Sequence, residues 1–181
     1  MAGRYVALLR GINVGKSKRV PMASLRALLE ELGYTEVRTL LNSGNAVFTA
    51  ARATPGKLAP SIERAIFAAL GVSSRVTVLS AAEVAEIIAG NPLLEVADNP
   101  SRLLVSVLAD PSTRTRLVPL TKENWHPEAF RLGKRASYLW LPRGVIDSRV
   151  AKAVDKALGD GVTARNWATM LKLHALLGNA A

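Results

Sequence analysis

The chain has 181 residues, with 24 Lys and Arg against 14 Asp and Glu, a net charge of +10 and no Cys. Hydrophobic residues make up 49% of it, enough apolar surface to offset the entropy of ordering, which excludes a disordered or low-complexity chain. The missing Cys excludes disulfides, thiolate metal sites and a thiol nucleophile, and fits a reducing, cytoplasmic setting.

The run Tyr5-Val-Ala-Leu-Leu9 predicts a strand, and Arg10 cuts it too short for a secretory segment. No apolar stretch approaches the ~20 residues of a bilayer span, so no membrane partner is expected. After a polar loop over 11–19, Pro21 suits a first helical position. Met22, Leu25, Leu28, Leu29 and Leu32 then recur at helical spacing, with Gly33 as the stop. Residues 36–41 and 45–50 read as strands joined through the turn Asn42-Ser43-Gly44. A helix over 55–70 places Leu58, Ile62, Ile66, Ala69 and Leu70 inward and ends at Gly71; residues 75–80 form the next strand. Ser80 to Glu83 has the spacing of a capping box and opens a helix that ends at Gly90.

The polar stretch 91–101, with Pro92, Asn99 and Pro100, reads as a connection. Beyond it come a strand over 102–109 and a short helix from Asp110-Pro111 that Pro119 should stop. Phe130, Leu132, Tyr138 and Trp140 then frame a hairpin around Gly133-Lys134-Arg135. A helix over 147–158 follows with Val150, Val154 and Leu158 inward, then a short strand at 162–164 and a last helix capped by Asn166. The first half has the order βαββαβ and the second repeats its logic. The expected fold is α+β: two tandem ferredoxin-like units, 1–90 and 102–181, each an antiparallel sheet covered by helices.

Charge is not spread evenly. Residues 1–29 hold no acid but carry Arg4, Arg10, Lys16, Lys18, Arg19 and Arg26; residues 129–146 hold no acid but carry Arg131, Lys134, Arg135 and Arg143. The remaining basic and acidic residues cancel, so the whole surplus lies in two windows and marks candidate anion-binding fields.

Gly15-Lys16-Ser17 after a strand invites comparison with a phosphate-binding P-loop. The pattern needs Gly where this chain has Arg10, and Gly11 is one residue too close. A looser anion cradle remains, from Arg10, Asn13, Lys16 and the loop glycines, with Ser43 and Asn45 contributing if the turn meets the loop. The plain alternative is a β–α connection with solvated lysines. Arg165 and Asn166, at a helix N-terminus, form a second candidate anion site. There the structural alternative has Asn166 capping, Trp167 packing and Thr169 satisfying local backbone. Base stacking on the first sheet is not expected, because neither face of its third strand offers more than one aromatic and the first strand adds only Tyr5. His126 and His174 lack partners at ligand spacing, so neither a metal nor a cofactor is expected.

The segments Tyr5-Val-Ala-Leu-Leu-Arg-Gly-Ile-Asn-Val-Gly15, Val20-Pro-Met22, Ser43-Gly-Asn45 and Thr163-Ala-Arg-Asn-Trp167 together resemble a bacterial domain family of unknown function. Its hallmarks are RGINVGG, SGN and TRNW. The resemblance runs nearly end to end and implies an α+β protein of ferredoxin-like character, without implying an activity. This chain departs from the pattern at Lys16, commonly Gly, and at Ala164, commonly Thr. The leading expectation is a protein that binds a phosphate- or carboxylate-bearing small ligand through the loop 10–19. An enzyme acting on a small phosphorylated or acidic metabolite, with polar groups converging between the halves, and a binder of nucleic-acid backbone are the competing expectations.

Overall fold

Strand β1 (Ala2–Leu9) buries every residue from Tyr5 to Leu9, which explains why its sequence is continuously apolar rather than alternating. It is a central strand, paired antiparallel with two others on its two sides. The computed structural model describes residues 2–51 and 53–178. Its α+β fold contains two four-stranded antiparallel sheets, and the chain divides into two compact units. One unit runs through Ala82 and takes in the C-terminal segment from Leu173; the other is Glu83–Lys172. The stretch 91–101 therefore lies within the second unit.

In the first unit β1 is followed by α1 (Met22–Glu31), β2 (Thr35–Leu40), β3 (Asn45–Ala51), α2 (Pro55–Leu70) and β4 (Val76–Ser80), in the sheet order β2-β3-β1-β4. Pro21 sits at the capping position, one residue before its expected place, where its extended backbone leads into the first turn. Gly33, at φ 83°, ends α1 as expected, since a side chain there would be strained.

Leu25, Leu28 and Leu29 of α1 and Leu58, Ile62 and Ile66 of α2 pack with Tyr5, Ala7, Leu9, Ala46, Phe48 and Ala50 from one face of the sheet. Phe48 lies in the middle of a ring stack, with centroids 5.8 Å from Tyr5 and 4.7 Å from Tyr34. The pairing of β2 with β3 slips between Thr35 and Arg38, and Glu36 takes a left-handed φ of 52°. This bulge puts Thr35 and Arg38 on the same face of the sheet while Val37 points into the core.

The second unit contains the bulk of α3 (Ala81–Ala89), then β5 (Leu103–Leu108), β6 (Ala129–Leu132), β7 (Ala136–Trp140), α4 (Arg149–Leu158), β8 (Val162–Asn166) and the start of α5 (Trp167–Gly178). Its sheet order is β6-β7-β5-β8. Between β5 and β6 the chain forms a 3-10 helix over Pro111–Lys122 that contains Pro119 instead of stopping there. The Asp110 carboxylate accepts from the Ser112 amide and hydroxyl, which starts the tight coil. The stretch 111–122 has two prolines and several Ser and Thr residues, a composition that disfavours a regular α-helix. Ser148 caps α4 two residues later than expected, accepting from the Ala151 amide. The last strand reaches Asn166 rather than ending at 164.

Leu108, Leu117, Phe130, Leu139, Val150, Val154 and Leu158 form the core on one side of the second sheet. Tyr138 points to the other side and donates its hydroxyl to the Ile87 carbonyl at 2.8 Å. Burial pushes its phenol up to about 12. No helix among the described residues is long and apolar enough to cross a membrane.

Two outcomes follow from these cores. Phe48→Ala should lower the unfolding free energy by about 3–5 kcal/mol in denaturant titrations, because it opens a cavity between two rings. The raised Tyr138 pKa means the folded state holds that proton more tightly than the unfolded chain does. Its contribution is full below pH 10 and fades as the pH rises toward 12, by about 2 kcal/mol in total. Tyr138→Phe should remove that part of the alkaline loss in stability measured between those two pH values.

Candidate functional site

The loop after β1 is held from both sides. The Leu9 amide donates to the Gly44 carbonyl at 2.8 Å, and the Arg10 amide donates to the Arg75 carbonyl at 2.9 Å. Ser74 adds its hydroxyl to the Arg10 carbonyl at 2.9 Å. Ile12 turns back into the core and meets the 41–44 turn. A Cβ added to Gly44 would lie 2.7 Å from both Ile12 Cδ1 and Leu9 Cβ, and Gly44 has φ 85°. Only glycine allows this approach and this backbone together.

Asn13 organises the loop. Its backbone sits at φ 55°, a conformation that Asn tolerates better than most side chains. The Asn13 amide donates to the Lys18 carbonyl at 3.0 Å, closing residues 13–18 into a ring. Its side chain then accepts from the Val20 amide at 2.8 Å and donates to the Val20 carbonyl at 2.9 Å. The same Nδ2 donates to the Asn42 carbonyl at 2.7 Å. One carboxamide thus ties the end of the loop to itself and the whole loop to the hairpin turn.

Of the expected site residues, Arg10, Asn13, Lys16, Ser43 and Asn45 all belong to this junction, so the loop and the turn do meet. Their roles differ. Asn13 and Asn45 spend their amides on the chain itself: Asn45 is fully buried and donates to the Leu40 carbonyl at 2.7 Å and to Ser43 Oγ at 3.0 Å. Arg10 is half-buried at the strand's end, whereas Lys16 and Ser43 are exposed. Lys18 and Arg19, not singled out from the sequence as ligand contacts, are exposed beside Lys16. No acidic side chain among the described residues pairs with any of these three cations.

The other cations of the first basic window are committed elsewhere. Arg4 donates to the carbonyls of Leu177 and Leu176 at 2.8 and 3.1 Å, at the end of α5. Arg26 pairs with Glu30 one helical turn away. Ser17-Lys18-Arg19-Val20-Pro21 separates the Gly15-Lys16 pair from α1, so these residues do not open a helix as a P-loop lysine does.

Arg165 and Asn166 lie in the second unit, on β8. The Arg165 guanidinium is almost wholly buried and donates to the Ala164 carbonyl at 2.8 Å. Burial lowers its pKa to about 10, which still leaves it charged at neutral pH. Asn166 accepts from the Thr169 amide at 2.9 Å and so caps α5, while Trp167 is buried. Asn166 and Trp167 thus have the structural roles that composition allowed. His126 is exposed and His174 half-buried. Val6, Leu8, Val47 and Leu79, on the side of the first sheet away from α1 and α2, are also buried, so that face offers no platform for stacking bases.

The family model DUF1697, described as a protein of unknown function, matches residues 2–138. The chain also resembles the solved structure of the conserved bacterial protein SP0830 from Streptococcus pneumoniae, with a TM-score of 0.79 at 23% identity over 98% of this chain and 99% of that one. That likeness concerns the fold. No functionally curated protein matches.

Replacing Asn13 tests the junction. Asn13→Ala loses three side-chain hydrogen bonds and should cost about 2 kcal/mol, with faster hydrogen exchange at the Val20 amide. Asn13→Asp keeps the acceptor for Val20 but loses the donors, so its exchange rate should fall between those of wild type and Asn13→Ala.

Proposed function

The chain belongs to the DUF1697 family, proteins of unknown function, and from its geometry we propose that the loop 10–19 binds a small anionic ligand bearing phosphate or carboxylate. The observation that carries this reading is the closed ring 13–18, which presents Lys16, Lys18 and the adjoining Arg19 without acidic partners. Gly11, Asn13 and Gly15 take left-handed φ values of 64°, 55° and 63° at alternate positions. These turns fold the loop back on itself, with the Asn13 N–H closing on the Lys18 carbonyl, so the charge offered to an anion comes from the lysine and arginine side chains. The Asn13 clamp supports binding indirectly, because a loop already fixed loses less entropy when a ligand arrives. Arg10 and Ser43 border the same junction and are the next contacts for a ligand larger than phosphate.

The two sheets are further read as tandem ferredoxin-like units. Their strand orders, β2-β3-β1-β4 and β6-β7-β5-β8, follow one pattern, and the 3-10 helix over Pro111–Lys122 stands where the second unit would carry its first helix.

Backbone amide shifts in two-dimensional NMR test the loop, with inorganic phosphate, citrate and a mixed-sequence single-stranded oligonucleotide as probes. Saturable shifts confined to residues 10–19 and 41–45 with phosphate or citrate, lost in the combined Lys16→Ala, Lys18→Ala and Arg19→Ala variant, are the expected result. Absence of such shifts with both small anions overturns the reading. Oligonucleotide binding that weakens about 20-fold between 50 and 200 mM salt, as about three phosphate contacts on a single strand require, would assign the loop to nucleic-acid backbone instead.

A further inference from the structure

The second basic window does not enter the loop, yet two of its residues line a cavity of about 380 Å³ within the second unit. One wall is the last part of α3, with Glu86, Ile87 and Ala89; the other is the β6–β7 hairpin with Lys134 and Arg135, and Tyr138 lies between them. The volume falls in the range of pockets that enclose small molecules. We propose that this cavity is a second binding site, for a small monocarboxylate with a flat apolar body.

The apolar part follows from the walls. Tyr138 is held at its hydroxyl by the Ile87 carbonyl, so its ring has a fixed orientation. The backbone closes on it at two glycines. A Cβ on Gly133 would lie 3.0 Å from Tyr138 Cε2, and one on Gly90 would lie 3.3 Å from its hydroxyl oxygen. Glycine at both positions lets the chain approach the ring edge that closely. Tyr138 and Ile87 are almost wholly buried and reach the cavity only at their edges, between the two glycines and Ala89, so the walls favour a thin apolar group over a bulky one.

The charge preference follows from what each ion already does. Arg135 is held by the protein at two of its three nitrogens. Its Nε pairs with Glu83 at 3.0 Å, and its Nη1 donates to the Leu108 and Ala109 carbonyls at 2.5 and 3.2 Å, so it is a fixed wall with its charge compensated. Lys134 is exposed at the tip of the hairpin, and no acidic side chain among the described residues pairs with it. It is therefore the cation that meets the ligand. Glu86, exposed on the opposite wall, repels a second negative charge, which favours a monoanion over a dianion.

The site belongs to one unit and the loop 10–19 to the other, so the two proposals can fail separately. Benzoate, with phthalate as its dianionic counterpart, is the probe, followed by amide NMR on the full chain. Benzoate should shift Ala89, Gly90, Gly133 and Lys134 saturably and bind more tightly than phthalate. Lys134→Ala should weaken it about tenfold, the scale of one exposed-to-pocket charge contact, and Ala89→Phe should abolish it by filling the space. The combined Lys16, Lys18 and Arg19 variant should leave it unchanged. Ala89 and Lys134 are both exposed, so their replacement leaves the core intact. No saturable shift at these amides, a preference for phthalate, or benzoate binding that survives both substitutions overturns the proposal.

Discussion

A single carboxamide decides the shape of the loop that follows β1 in the first unit. Asn13 accepts from and donates to Val20, and donates to Asn42, while its own backbone amide reaches Lys18. Without it, the start of the loop would still be held at Leu9, Arg10 and Ile12, but its return to Val20 and its tie to Asn42 would be lost. With it, the loop becomes a closed ring docked on a hairpin turn, and the entry of the chain into α1 at Pro21 is set. The close approach of Gly44 to Ile12 and Leu9 has the same consequence from the other side, since it lets the turn lie flat against the strand end. Polar satisfaction and tight packing act here on the same few residues. That combination is what gives an exposed loop a defined geometry.

The two units solve a common topological problem with different materials. Both place their first strand between two antiparallel neighbours and cover one face with an apolar layer. The first unit uses two amphipathic helices and a stack of three rings. The second uses α4 and a proline-containing 3-10 helix, and ties the start of α4 to Glu128, whose carboxylate accepts from the Arg149 and Val150 amides. Its charged groups are correspondingly more occupied. Arg135 is bound to Glu83 and to two carbonyls, and Arg165 is buried. Much of the chain's positive charge is therefore structural. Arg4 closes the end of α5 in the same manner, through backbone carbonyls that a helix terminus leaves unpaired.

The surplus of +10 thus resolves into two kinds of cation. Arginines at helix ends and strand edges donate to carbonyls, where a planar guanidinium can satisfy several acceptors at once. The cations at the tips of the loop and the hairpin, Lys16, Lys18, Arg19 and Lys134, remain in solvent. The sequence windows flagged both kinds together because a count of charges carries no information about partners. Separating them needs the positions of the carbonyls.

The sequence by itself determined the elements whose signal is local. The helices of the first unit follow from apolar spacing and from Gly33 and Gly71, the hairpins from their turn residues, and the buried centre of β1 from an unbroken apolar run. It also argued against a P-loop, by a spacing one residue off. What only the tertiary structure decided is where distant backbone groups come within hydrogen-bond range. The register slip between Thr35 and Arg38, the 3-10 helix that continues through Pro119, and the left-handed Leu41 leave no periodic trace. Asn13 was legible as a polar loop residue, but its role depends on the Asn42 carbonyl of the neighbouring hairpin turn lying 2.7 Å away. A side-chain amide has the same chemistry whether it faces a ligand or its own backbone. Which of the two it meets is fixed by strand pairing between residues far apart in the chain, and periodicity does not encode that distance.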